Sequence, residues 1–329
     1  RWSLHADTER LVITPPQPLA GGAAELHITY RGRIGDGLVG FYRSTYVDDG
    51  VDVPIAVTQF EAPHARRAFP CWDEPEFKAR FSLRLTVRSD LLAVANGAEI
   101  GRTDLGDGWT EVRFAETIPM STYLVAWAIG RLEATDAVVV RGIPIRIVHR
   151  PGQGHLTSLA LTAAAHAVAW FEDHFDIPFP GGKLDMVAVP DFAFGAMENL
   201  GCITYREVLL LADPATVTPR EREDIALVVA HEIAHMWFGD LVTMHWWDDL
   251  WLNESFAEWA SHYANVKATR FTDAWTTFLN QRKAWAYRQD QLPSTHPIAA
   301  DMIDLDAVRV NFDGITYAKG AAALRQLVA

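Results

Sequence analysis

Cysteine is almost absent, with Cys71 and Cys202 the only two in 329 residues. They lie far apart in apolar or aromatic surroundings, so neither a disulfide framework nor a thiolate metal site is indicated, and two buried free thiols are expected. Long apolar runs are missing too. No stretch approaches the roughly 18 uninterrupted apolar residues of a membrane-spanning helix, and Arg1 opens the chain without a signal-like apolar region. A soluble protein of the reducing cytoplasm is expected, with no membrane partner, although the missing initiator Met leaves room for a removed targeting segment. Positive charge is also scarce: 29 Lys and Arg against 42 Asp and Glu give a net charge of −13. Affinity for nucleic acid rests on cationic side chains that neutralise phosphates, so DNA and RNA are not expected partners. The acidity serves solubility first and also favours cationic ligands such as a protonated amine.

What is plentiful is apolar material. Apolar residues make up 49% of the chain and charged residues 22%, a globular balance, and most of the 12 Trp and 16 Phe are expected in cores. At this length two packed units are expected rather than one. Residues 1–133 read as a β-rich domain: alternating runs such as Glu25–Tyr30, Phe81–Arg88 and Glu111–Phe114 sit between Gly, Pro and Asp turns, a sandwich-like pattern. Residues 134–329 read as a second, mainly helical domain, which makes the fold class α+β. There Leu159–His174 has a helical period, and Leu184–Val189 is a short strand that runs into a loop or edge segment, Asp191–Asn199.

The next helix starts at Thr218, whose hydroxyl can cap while Glu221 reaches back, with Pro219 at the first helical position. Its apolar positions predict a helix to Gly239, about 20 residues or roughly 30 Å. Further helices are predicted over Leu252–Val266 and Thr272–Arg288. Within the first of these three, His231 and His235 are four residues apart, about 40° around the helix, so both imidazoles leave one face and can share a metal ion. Glu232 lies beside them, rotated away from ligation and close enough to act as general base on a metal-held water. A catalytic zinc needs three protein ligands and an open position, so a third donor is required.

Four segments bear on that donor: Thr58-Gln59-Phe60-Glu61-Ala62 with Phe69-Pro70-Cys71-Trp72-Asp73-Glu74-Pro75, then Gly195-Ala196-Met197-Glu198-Asn199, then His231 to Glu254 ending in Trp251-Leu252-Asn253-Glu254, and Tyr317-Ala318-Lys319-Gly320. In this order they resemble the gluzincin aminopeptidases of the aminopeptidase N family, over nearly the whole chain. The resemblance implies a thermolysin-like catalytic domain behind the β-sandwich-like one, and one zinc ion per chain held by His231, His235 and Glu254. It implies that Glu232 is the base, that Tyr317 stabilises the oxyanion, and that Gly195, Ala196, Met197, Glu198, Asn199 and Glu61 bind the substrate. Glu198 and Glu61 would take the α-ammonium of a peptide with a free amino terminus, and Phe194 would border the first side-chain pocket. Glu258 is expected to orient a ligating imidazole, Asn253 to support the site, and His245 to have a structural role in the turn. Ser255 stands where many relatives carry Gly.

The resemblance also implies that the rest of the catalytic domain and a helical carboxyl-terminal domain lie beyond Ala329. The alternatives are a zinc-binding fragment without turnover, an epoxide hydrolase that is also an aminopeptidase, and an endopeptidase of thermolysin type. Oligomeric state and side-chain preference are not legible.

Overall fold

Two tight turns organise the first sheets of the computed structural model, which describes residues 1–328. Strands β1 (Trp2–His5) and β2 (Arg10–Ile13) form a separate hairpin. Strands β3 (Gly40–Asp48) and β4 (Val51–Gln59) pair antiparallel through Asp49 and Gly50. Both turn residues have positive φ, 49° and 78°, and the twist of such a turn suits a hairpin. After β5 (Arg84–Arg88) and β6 (Leu92–Ala95), strands β7 (Glu99–Gly106) and β8 (Trp109–Phe114) repeat the device with Asp107 and Gly108. With β9 (Trp127–Gly130) the strands form two sheets, ordered β3-β4-β9-β6 and β5-β8-β7. Val87, Val112 and Phe114 of the smaller sheet pack against Ala93 and Ala95 of the larger, giving the expected sandwich.

The second unit is built on a sheet in which β12 (Ile143–His149), β13 (Leu184–Val189) and β15 (Cys202–Arg206) run parallel. Short strands β10 (Glu133–Ala134) and β11 (Val138–Val140) pair with β12, and β14 (Ala196–Met197) closes the far edge antiparallel to β15. All six residues of β13 are buried, as a central parallel strand requires. Helices α1 (Ser158–Phe175), α2 (Pro219–Ala234) and α3 (Leu250–Ala268) pack on one another. Alanines at Ala163, Ala167, Ala226, Ala230 and Ala264 lie between them and allow close approach. The architecture is α+β, a β-rich amino-terminal part followed by a helical one.

The units are sewn together by buried polar groups. Lys183 Nζ donates to Asp185 at 2.8 Å, to Gly201 O at 2.6 Å and across the seam to Ala95 O at 2.5 Å. Asn96 Nδ2 donates to Leu200 O at 2.9 Å, while Tyr42 and Thr45 of β3 hold Asp191 at 2.9 and 2.8 Å. The start of the Asp191–Asn199 segment is therefore anchored to the sandwich.

Several expectations need correction. Glu25–Tyr30 forms no strand: its alternation has no partner to pair with, and Leu26 and Tyr30 are exposed. The Phe81–Arg88 strand begins only at Arg84. The helix expected to reach Gly239 ends at Ala234. Thr272–Arg288 is a broken rod: α4 (Ala274–Phe278), a π turn at Leu279–Lys283, and α5 (Ala284–Asp290). After α6 (Leu305–Val310) a second π turn, Ile315–Lys319, leads into α7 (Gly320–Val328). Both cysteines are free, but Cys71 is only partly buried. Among the described residues no helix is long and apolar enough to cross a membrane.

Candidate active site

Helix α2 starts as its sequence requires. Thr218 Oγ1 accepts from the Glu221 N–H at 3.2 Å and the Glu221 carboxylate accepts from Thr218 N at 2.8 Å, a complete capping box with Pro219 inside it. Its far end is looser. Asp240, Leu241 and Val242 donate to the carbonyls of His235, Met236 and Trp237, and Gly239 turns the chain at φ +137°. The turn brings the Phe238 carbonyl within 2.9 Å of His235 Nδ1. A carbonyl only accepts, so Nδ1 carries the hydrogen and neutral His235 presents its Nε2 lone pair to the site.

That Nε2 lies 3.1 Å from His231 Nε2, and Glu254 Oε2 lies 3.3 Å from His231 Nε2 and 3.5 Å from His235 Nε2. A tetrahedral ion with bonds of about 2.0–2.2 Å separates its donors by about 3.3–3.6 Å, so all three sides of this triangle lie within about 0.2 Å of what zinc needs. The donor set of two imidazoles and one carboxylate is that of a catalytic site with one position left over. Glu254 reaches it from the first turns of α3, where burial would raise its carboxyl but the two neighbouring histidines hold it well below the usual range.

The other acids are pushed the opposite way. Burial, opposed by His235 and reinforced by Glu198 and Glu254, holds Glu232 well above the ordinary carboxylate range. Burial also raises Glu198, and burial with the charges of Glu198 and Glu254 raises Glu61 strongly. Carboxylate oxygens of Glu61, Glu198 and Glu254 lie within 4.8 Å of one another, as do donor atoms of Glu198, Glu232 and His235. Glu61 Oε1 and Glu198 Oε1 are buried without a hydrogen-bond partner. Such a group of acids is neutral when protonated, and a cation placed among them would let it ionise. Tyr317, on the second π turn, stacks on His231 with ring centroids 6.1 Å apart and planes 13° apart. Burial, then Glu254 and Glu61, lift its phenol well above the ordinary value, so it keeps its proton as a donor.

The residues singled out from the sequence thus divide. His231, Glu232, His235, Glu254, Glu198, Glu61 and Tyr317 come together from α2, α3, the loop after β4, the β14 segment and a π turn. Ala196 and Met197 form the edge strand, Gly195 O accepts from Arg206 N, and Asn199 O accepts from Cys202 N, so these residues shape the backbone that carries Glu198. Gln59 Nε2 reaches Met197 Sδ at 3.3 Å across the seam. Asn253 donates to the Tyr123 hydroxyl at 3.3 Å, which donates in turn to Gly239 O. Glu258 Oε2 is 3.9 Å from His231 Nδ1, outside direct hydrogen-bond range. Phe194 is partly exposed beside Phe192, and His245 lies on the surface, paired with Glu76 at 2.5 Å. Two charged residues at the site escaped the sequence reading. Asp240 is fully buried with both oxygens unpartnered, and Arg282 pairs with Glu258. Neither lies in a motif with a chemical reading; only the placement of a polar residue after Gly239 hinted at the first.

Comparison with known proteins adds the lineage. The Peptidase M1 N-terminal domain profile matches residues 2–124, and the Peptidase family M1 domain profile matches residues 159–329. Aminopeptidase M1-B of Oryza sativa subsp. japonica is 43% identical over 321 residues, 98% of this chain and 36% of the relative. Puromycin-sensitive aminopeptidase of Caenorhabditis elegans is 40% identical over 96% of this chain and 34% of its own length. Aminopeptidase M1 of Arabidopsis thaliana is 40% identical over 98% of this chain and 37% of its own. The chain spans only a little over a third of these relatives' lengths. With both profiles in order and this identity across nearly every residue, the chain belongs to peptidase family M1.

Proposed function

We propose that this chain carries the catalytic centre of a zinc aminopeptidase, which removes the amino-terminal residue from peptides bearing a free α-ammonium group. The observation that carries this reading is the trio of buried carboxylates, Glu61, Glu198 and Glu254, within 4.8 Å of one another, with unpartnered oxygens on the first two, beside paired imidazoles. An endopeptidase needs no such cradle for an amine. The relatives' names, all aminopeptidases, point the same way.

On this reading His231, His235 and Glu254 hold one zinc ion, which when bound supplies Lewis-acid polarisation of water and of the scissile carbonyl. Glu232 takes a proton from the attacking water and returns it to the leaving amine. Tyr317 donates a hydrogen bond to the oxygen on which negative charge develops. Glu198 and Glu61 bind the ammonium and so set the register at one residue, and the free edge of β14 can pair with the peptide backbone. With this function we propose a division of the chain at residues 133 and 134 and a cytoplasmic location, the latter supported by two unpaired thiols.

The test is metal analysis of the chain combined with hydrolysis of free and amino-acetylated aminoacyl arylamides. One zinc per chain and cleavage of the free substrates alone are expected. Equal cleavage of the acetylated ones would overturn the exopeptidase reading, and zinc uptake without turnover would leave a binding fragment.

A further inference from the structure

We infer, on that reading of the site, that Arg282 is a positioning residue of the centre, holding Glu258 behind His231 with its donor fork while its guanidinium lies over the ring of Tyr317.

Two π turns occur among the described residues, Leu279–Lys283 and Ile315–Lys319, and the first carries Arg282 while the second carries Tyr317. A π turn inserts an extra residue into a helix and re-aims the side chains around it, and such turns gather at functional sites. Here both deliver to one spot. Arg282 Nε donates to Glu258 Oε1 at 2.8 Å and its terminal nitrogen donates to Oε2 at 2.5 Å, a two-pronged pairing that fixes the plane of the carboxylate. The same Oε2 stands 3.9 Å from His231 Nδ1, on the side of the ring away from Glu254. The guanidinium carbon also lies 5.7 Å from the Tyr317 ring centre and 5.0 Å from that of Trp285. Tyr317 in turn stacks on His231.

One permanent cation therefore touches both the carboxylate behind a metal-ligating imidazole and the phenol that faces the reacting carbonyl. Toward His231 it fixes the Glu258 carboxylate with one oxygen 3.9 Å from Nδ1, where its negative charge, without a direct hydrogen bond, favours the hydrogen on Nδ1 and leaves the Nε2 lone pair free to ligate. Toward Tyr317 it places positive charge on the ring face, which favours charge flowing from the developing oxyanion into the phenol hydrogen bond. Lysine could supply the charge but neither the fork nor the flat face. A residue that merely pinned α5 to α3 would matter to stability and to nothing else.

The experiment uses the 329-residue chain with Arg282→Lys, Arg282→Gln and Arg282→Ala. Zinc affinity is measured by chelator competition, the Co2+ visible spectrum is recorded, and kcat and KM are determined at saturating metal. Arg282→Ala should weaken zinc binding and lower kcat by about 10- to 100-fold each, with KM changed by less than about twofold. The Co2+ bands should shift, and millimolar guanidinium should restore part of kcat. Arg282→Lys should recover stability without recovering kcat. If the alanine variant does not fold, the Lys and Gln variants carry the same comparison. Variants with normal zinc affinity, spectrum and kcat, differing only in melting temperature, overturn the inference alone. A wild-type chain that takes up neither ion and cleaves nothing overturns the underlying reading and this inference with it; where it takes up metal without turnover, affinity and spectrum decide.

Discussion

The hydroxyl of Ser255 donates to the carbonyl of Thr316 at 2.5 Å and so ties the helix that carries Glu254 to the turn that carries Tyr317. The tie depends on Gly320. A Cβ at that position would stand 1.8 Å from Ser255 Oγ and 2.8 Å from its Cβ, with Ile298 Cγ2 next at 3.3 Å. Gly320→Ala should therefore destabilise the chain by about 1–3 kcal/mol through overpacking and displace Tyr317, lowering kcat as well. Adding Ser255→Gly removes both clashing atoms and should restore most of the melting temperature. A double variant no more stable than the single one would show that the clash is not the cause.

Glu232 has a carboxylate oxygen within 4.8 Å of donor atoms of His235 and Glu198, and the amide of glutamine has its shape without its proton chemistry. Glu232→Gln should keep the zinc stoichiometry of the wild type and lose about 10²- to 10⁴-fold in kcat. Turnover near the wild-type rate, measured with an aminoacyl arylamide at saturating metal, would remove Glu232 from the role of base.

Glu198 has one oxygen buried without a partner, and the proposed substrate ammonium completes it. Removing one member of a buried charge pair costs about 2–5 kcal/mol, so Glu198→Gln should lower kcat/KM by roughly 30-fold or more for free aminoacyl substrates. The loss should come with unchanged zinc stoichiometry and an unchanged melting temperature. A loss accompanied by a fall in either would point to general damage.

His64 carries a pH dependence of stability separate from the candidate active site. Burial, with Arg67 and Arg309 nearby, lowers its imidazole from 6.5 to about 4, and its Nδ1 is buried without a partner. The folded state thus binds this proton less readily than the unfolded state. Its contribution to stability is fully present above pH 6.5 and is lost as the pH falls from there toward about 4. Melting temperatures between pH 7.5 and 4 should fall less steeply for His64→Gln than for the wild type. Parallel curves would assign the acid sensitivity to other groups.

The legible parts of the site share a cause. Thr218, Pro219 and Glu221 satisfy the first backbone donors of α2 from within four residues, so no distant partner is needed to place that helix start. His231 and His235 face the same way because a helix turns by a set angle per residue. The end of α2 is not legible because apolar spacing continues past Ala234 while the hydrogen-bond pattern changes, and periodicity does not report that change. The run Glu25–Tyr30 has a strand's alternation, but a strand is a pairing between two segments and no second segment lies beside it.

By itself the sequence determined what short-range geometry settles: the capped helix, the two imidazoles on one face, the adjacent glutamate, and a motif order specific enough to name a family. Only the tertiary structure decided how Glu61, carried by the sandwich, reaches Glu198 and Glu254, and how Arg282 comes to face both Glu258 and Tyr317. Those contacts join residues many turns or whole sheets apart, and their geometry is set by how layers pack and where a helix takes in an extra residue. Neither the spacing of apolar residues nor any local motif encodes that distance.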